Sequence, residues 1–380
     1  MLRITVLLGI LLIIQTTFLM AQGLVPVPLE SNHELLRQAE QAREGGRSPQ
    51  VCPIDTLSLP FFEDFSDGQG IYPRCSHWLD NQAYINADLA YKPPSVGVAT
   101  LEGLDWDGAP YNDGASTSIG SPADTLTSQP IRLGGKTAAD GIFLSYYYQP
   151  QGLSDRPEEQ DSLFLDFKDS SGNWQVVWSI AGLPSSISIL AVFDFEQVYL
   201  ALDDPRYLYD GFQFRFRNYA AITGNNDHWH LDYIFLDENR TNNADVNHPT
   251  YGSSADVAFT QSPVTPLRDS LTAMPWRHFN ALANPWAPAV VLENFNHNHS
   301  QVATLDRRIS LAEIAPNNTP LLTENIPAVG AYGPSPNVDD SLSYTLLNSP
   351  ATFQATEKTT LETTFQIINP SGFQTNPIYE

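Results

Sequence analysis

From Pro53 onward, short runs of aromatic and branched residues alternate with clusters of Gly, Pro, Asn and Asp, and no long stretch repeats apolar residues at helical spacing. Such a texture predicts strands separated by turns. The clearest are 142–148 (IFLSYYY), 162–167 (SLFLDF), 174–178 (WQVVW), 212–217 (FQFRFR) and 229–236 (WHLDYIFL). Within FQFRFR, Phe212, Phe214 and Phe216 share one face and Gln213, Arg215 and Arg217 the other. One side of such a sheet is buried and the other wet, as in an antiparallel sandwich. The same period assigns Trp229, Leu231, Tyr233 and Phe235 to one face of the last of these strands.

Other stretches depart from this pattern. Arg3, then the apolar run Val6–Ile14, then Phe-Leu-Met-Ala-Gln at 18–22 have the layout of a secretory signal cut after Ala21. The run is well short of the roughly 20 residues that span a bilayer, so no transmembrane segment is expected after removal of signal 1–21. Residues 22–52 read as a leader, partly disordered, with one short helix. Ser31-Asn32-His33-Glu34 has capping-box spacing, Leu35, Leu36 and Ala39 follow, and Gly45-Gly46 end the helix. Residues 241–256, polar and Asn-rich, read as a linker between a β-sandwich at 53–240 and a second at 257–380. The second has weaker strands at 289–293, 303–311, 341–347 and 361–368, and its Pro-rich turns predict an immunoglobulin- or fibronectin-like sandwich. The strand-and-turn series at 361–380 reads as continuing, so this sandwich is expected to be incomplete.

Charge narrows the function classes. With 43 acidic against 19 basic side chains the formal charge is −24 and the pI about 4.5, which repels phosphate backbones and argues against nucleic acid as a partner. The two cysteines, Cys52 and Cys75, fall in the exported part and read as one disulfide. They are too few for a cysteine-built zinc site.

Chemistry is sparse. His228, His230 and Asp232 stand two apart, and this spacing resembles the H-x-H-x-D-H signature of metallo-β-lactamase-fold zinc hydrolases; Tyr233, however, occupies the place of the last His. Clustered acids (Glu158, Glu159 and Asp161; Asp105 and Asp107) occur without an inferable catalytic pairing. G-x-S-x-G, P-loop and H-E-x-x-H patterns are absent, so no catalytic residue is assigned and the chain is expected not to be an enzyme. Trp106, Trp174, Trp178, Trp229, Tyr146 and Tyr148 are candidates for a sugar-stacking platform or for core packing.

Five ordered motifs carry a family resemblance: LPFFEDFSDG (59–68), YKPPSVGVATLEGLDWDGAPY (91–111), SYYYQPQGLSDRPEEQDSLFLDF (145–167), FQFRFRNYA (212–220) and DHWHLDYIFLDENR (227–240). Together they resemble uncharacterised exported and cell-surface β-proteins of bacteria with type IX secretion. Asp-Ser/Thr-Leu, at residues 55, 124, 161, 269 and 340, resembles the O-glycan acceptor pattern of such exported proteins. Residues 53–240 also resemble MAM-like and laminin-G-like jelly rolls, of the concanavalin-A-like kind. That resemblance implies an N-terminal acidic strand beside the last strand, with Glu63, Asp64 and Asp232 as calcium ligands; no other cofactor is expected. The expectation is therefore an all-β, exported, non-enzymatic protein at the cell surface, with a jelly roll followed by an immunoglobulin-like sandwich. It would act in adhesion or recognition of a glycan or surface protein, with a carbohydrate-binding module or glycoside-active enzyme component, or a structural spacer of a longer surface protein, as the alternatives.

Overall fold

The computed structural model describes residues 31–44, 52–66, 70–115, 120–188, 190–240, 257–259, 267–271, 273–286, 290–296, 304–317, 319–326, 340–344 and 353–371. The expected signal (1–21) and linker (241–256) lie outside the described residues. Among those described, no helix is long and apolar enough to cross a membrane.

Two sheets make the first sandwich. One contains β1 (Phe61–Glu63), β2 (Tyr84–Asn86), β3 (Val98–Leu101), β6 (Phe143–Pro150), β9 (Glu196–Ala201) and β12 (Trp229–Asp237), in the order β2-β3-β12-β6-β9 with β1 also pairing to β12. The other contains β4 (Ser121–Thr127), β7 (Ser162–Lys168), β8 (Trp174–Ala181) and β11 (Phe214–Ala220), in the order β4-β11-β7-β8. A short ribbon, β5 (Ile131–Arg132) with β10 (Asp210–Phe212), lies off both. All these ladders are antiparallel. The chain passes from one sheet to the other at β3–β4, β6–β7, β8–β9 and β11–β12, which makes a jelly-roll-type sandwich rather than an up-and-down meander.

The core follows from the period of two. Leu144, Tyr146 and Tyr148 of β6 face Leu163, Leu165 and Phe167 of β7 and Phe214 and Phe216 of β11, all sealed from water. Burying each such side chain stabilises the fold by roughly 1.5–3 kcal/mol. Phe212 is buried too, but it belongs to β10, because Gln213 breaks the strand: its amide donates to Ser128 O and its Oε1 accepts from Lys168 Nζ.

Strand β12 departs from strict alternation. Trp229 and Leu231 point into the core, and so do Ile234 and Leu236, whereas Tyr233 and Phe235 lie on the opposite side with Phe62 and Tyr147. The expected common face of Trp229, Leu231, Tyr233 and Phe235 is thus split by a bulge between Asp232 and Phe235, where Tyr233 takes φ +51°. An extra residue in the ladder shifts the phase of every later side chain by one. Asp232 Oδ1 accepts from the Tyr233 N–H and holds the bulge.

Two features tie down the N-terminal part. Helix α1 (His33–Glu44) is capped by Asn32 rather than Ser31: Asn32 Oδ1 accepts from the N–H of Glu34 and Leu35 (3.1 and 3.3 Å). Leu35 and Ala39 are buried, and a Cβ on Gly108 (φ +78°) would stand 2.7 Å from Leu35 Cβ, so this close approach needs glycine. The disulfide joins Cys52 to Cys75 across 23 residues, a loop closure worth roughly 3 kcal/mol on the chain-entropy model. Gln129 clamps both sides of it, donating to Pro53 O and Cys75 O.

Later in the chain, β13 (Val257–Phe259), β14 (Val290–Asn296) and β17 (Asp340–Tyr344) form one three-stranded sheet, and β15 (Thr304–Ala315), β16 (Thr319–Ile326) and β18 (Thr360–Ser371) another. Leu267, Phe279, Trp286, Leu311 and Ala355 form a second, smaller core, with Phe279 carried on the short helix α2 (Trp276–Ala281).

Candidate functional site

The outward face of the four-stranded sheet carries an unusual set of side chains. Alternation turns Arg215, Arg217 and Tyr219 of β11 outward, opposite Asp166 and Phe164 of β7, with Trp174 and Val176 of β8 beyond. Arg215 Nη2 donates to Asp166 Oδ2 (2.7 Å), and Arg217 reaches both oxygens (2.8 and 3.3 Å). Each guanidinium also covers a ring: Arg215 Cζ is 4.4 Å from the Trp174 centroid and Arg217 Cζ 4.1 Å from that of Phe164. Lys168 Nζ stands 5.7 Å from the Trp174 ring. Asp166 is 2% exposed, Trp174 and the arginines are half-buried, and Val176 is exposed. The result is a flat row of rings and guanidiniums with three cations against one carboxylate, a positive spot on a strongly negative chain. Arg215 Nε is sealed from solvent and makes no hydrogen bond.

The histidines and Asp232 form no metal triad. His230 is bound on both sides, at Thr100 Oγ1 (2.9 Å) and Gln151 O (3.1 Å), and burial pushes its pKa down to about 4. Burial and the neighbouring His230 push His228 down to about 3, and its two ring nitrogens have no partner. Asp232 turns elsewhere, to Ser95 N (2.8 Å) and Ser95 Oγ. Burial, with Asp64 nearby, raises its pKa well above the usual carboxylate range.

Nor do the three acids expected to hold calcium converge. Strand β1 pairs with β12, placing Glu63 opposite Ile234, and Ser95 Oγ bridges Asp232 to the backbone carbonyl of Asp64. Glu63, however, accepts from Arg74 Nε and Trp78 Nε1 (both 2.9 Å) and from the Phe65 N–H. Its charge is met by Arg74, and its oxygens are engaged. The Asp64 carboxylate accepts from Ser66. Separate partners hold the three, and among the described residues they do not form a group of ligand atoms within 4.8 Å of one another.

Of the aromatic candidates, Trp229, Tyr146 and Tyr148 are core residues, and Trp178 packs on both tyrosines (5.5 and 5.1 Å). Trp106 lies in a loop beside Tyr72 (6.4 Å), which leaves Trp174 on the sheet face. The alternation in FQFRFR marks Arg215 and Arg217 as outward; that Asp166, Phe164 and Trp174 lie beside them depends on strand order and is not legible in any local pattern.

No family model matches the chain, and no curated protein does. Among solved structures, a cleaved adhesin domain of Lys-gingipain from Porphyromonas gingivalis is 13% identical, over 48% of this chain and 99% of that one, with a TM-score of 0.30. The CBM22-1 xylan-binding domain of Xyn10C from Paenibacillus barcinonensis is 9% identical over 48% and 97%, with a TM-score of 0.26. CBM27-1 from Caldicellulosiruptor saccharolyticus, solved with mannohexaose, is 12% identical over 47% and 96%, again with a TM-score of 0.26. Likeness at this level carries no argument about what the chain binds.

Proposed function

We propose that the protein is an exported, non-enzymatic β-sandwich protein of the bacterial cell surface that acts by recognition or adhesion, with the outward face of β4-β11-β7-β8 as its contact surface. The observation that carries the reading is the Trp174–Arg215–Asp166–Arg217–Phe164 row. Its parts are locked to one another before any partner arrives, so little side-chain freedom is lost on contact. The signal-like first 21 residues, the acidic charge and the Cys52–Cys75 bridge support export.

The same row favours a second reading, a carbohydrate-binding module or an accessory part of a glycoside-active enzyme. Rings offer apolar faces to sugar C–H surface, while guanidiniums and Asp166 offer hydrogen bonds at the edges; the surplus of cations suits sugar chains with acidic groups. A screen against neutral and acidic glycans, run beside a hydrolysis assay, tests both. Binding without turnover that is lost in Trp174→Ala supports glycan recognition; turnover overturns the non-enzymatic reading. Binding to no glycan leaves protein adhesion or a structural spacer, which pull-down with intact cells separates.

A further inference from the structure

A second group of acids lies where the β6–β7 connection meets the β11–β12 loop. Glu158, Asp161 and Asp227 each offer a carboxylate oxygen within 4.8 Å of the others, and this is the one group of three or more potential metal ligands that close among the described residues. Asp161 and Asp227 are each 1% exposed. Neither is balanced: no lysine or arginine among the described residues pairs with any of the three.

One oxygen of each buried acid is fixed by backbone. Asp161 Oδ2 accepts from the Glu158 N–H (2.9 Å), and Asp227 Oδ2 from the Ala221 N–H (2.6 Å). The other oxygen of each, Oδ1, is sealed from solvent and accepts from no N–H or hydroxyl donor; Glu158 is the side chain that approaches both acids. A buried polar atom without a partner is a rare and costly arrangement, and here two such atoms sit within one acid group. Asp155 lies beside them, its carboxylate accepting from the Asp227 N–H (3.3 Å).

We propose that Glu158, Asp161 and Asp227 bind a calcium ion that ties the β6–β7 connection to the β11–β12 loop. Calcium takes oxygen ligands at about 2.3–2.6 Å, so ligands on opposite sides of one ion stand at most roughly 4.6–5.2 Å apart, and oxygens all within 4.8 Å of one another can reach a single ion. An all-carboxylate set with no nitrogen or sulfur disfavours zinc. Burial followed by the neighbouring acids raises Asp227 to about 9 and Asp161 to about 6, the strain that a divalent cation relieves. The set is distinct from Glu63, Asp64 and Asp232, and the proposal stands whether or not the sheet face binds a glycan.

Calorimetry and thermal unfolding of the full chain, stripped with a chelator and titrated with calcium chloride, test it. Binding heat and a rise in Tm of about 5 °C at calcium a hundredfold above Kd are expected. Asp227→Asn loses both; so does Glu158→Gln, whose side chain is half-exposed and makes no ion pair among the described residues. Asp64→Asn keeps both. No heat and no shift with the wild-type chain overturns the proposal, as does a full response in Asp227→Asn and Glu158→Gln.

Discussion

Asp166 and Asp227 are both carboxylates almost sealed from water, at 2% and 1% exposure, and their surroundings are opposite. Asp166 sits between two guanidiniums, each placed over a ring. Asp227 has a backbone N–H on one oxygen, no N–H or hydroxyl donor on the other, and two further acids beside it. In a chain with 19 basic residues against 43 acidic ones, where the few cations go is informative. On the sheet face the buried carboxylate is met within the fold by two arginines, whereas the acid group is met only by a cation from outside.

Substitution separates the two regions by sign. Asp166→Ala leaves two half-buried guanidiniums without their carboxylate, and a loss of about 2–3 kcal/mol is expected in urea unfolding at pH 7. That is less than for a fully buried pair, because both arginines keep some water; a loss under about 0.5 kcal/mol would break the contrast. Trp174→Ala is expected to weaken binding of whichever ligand the glycan or cell screen finds by about tenfold, or roughly 1.4 kcal/mol. Its own stability should change by less, since the ring lies on the surface side. Asp227→Asn, in chelator, replaces a carboxyl that burial already keeps protonated at pH 7 by a neutral isostere and is expected to leave stability within about 1 kcal/mol of wild type or above it. A large loss there would show that the carboxyl makes a bond in the metal-free fold that an amide cannot replace.

The smallest effect sharpens a third case, histidines that the fold keeps neutral. Burial, opposed by no acid, keeps His230 neutral, and burial with the Arg74 charge does the same for His77; both are pushed down to about 4. The unfolded chain takes up protons near 6.5 that these folded histidines refuse, so their contribution to stability is whole above that pH and is lost as pH falls through 6.5 towards 4. NMR titration of the ring protons should give midpoints near 4 for both, and a midpoint near 6.5 for His230 would mean that the start of strand β12 is open to water.

Much of the first sandwich was legible in local pattern. The runs at 162–167, 174–178 and 229–236 became β7, β8 and β12 with ends moved by three residues or fewer. Strand β1 lies beside β12, where the jelly-roll resemblance put an acidic N-terminal strand, whereas β2, β3, β4 and β9 were missed because each is short or lacks a clean period, and pairing to a neighbour rather than propensity makes them strands. The bulge at Tyr233 was equally hidden. Nothing in LDYIF announces it, yet it decides that Tyr233 and Phe235 leave the core that Ile234 and Leu236 enter.

By itself the sequence determined the all-β class, the wet face of β11, the acidic balance and the pairing of two cysteines, because each depends on spacing or composition along the chain. Only the tertiary structure decided which charges meet. It sent Glu63 to Arg74, Asp232 to Ser95 and Asp166 to two arginines, and it gathered Glu158, Asp161 and Asp227 from positions up to 69 residues apart. Such encounters depend on strand order and loop path, and a carboxylate's chemistry depends on them more than on its neighbours in sequence.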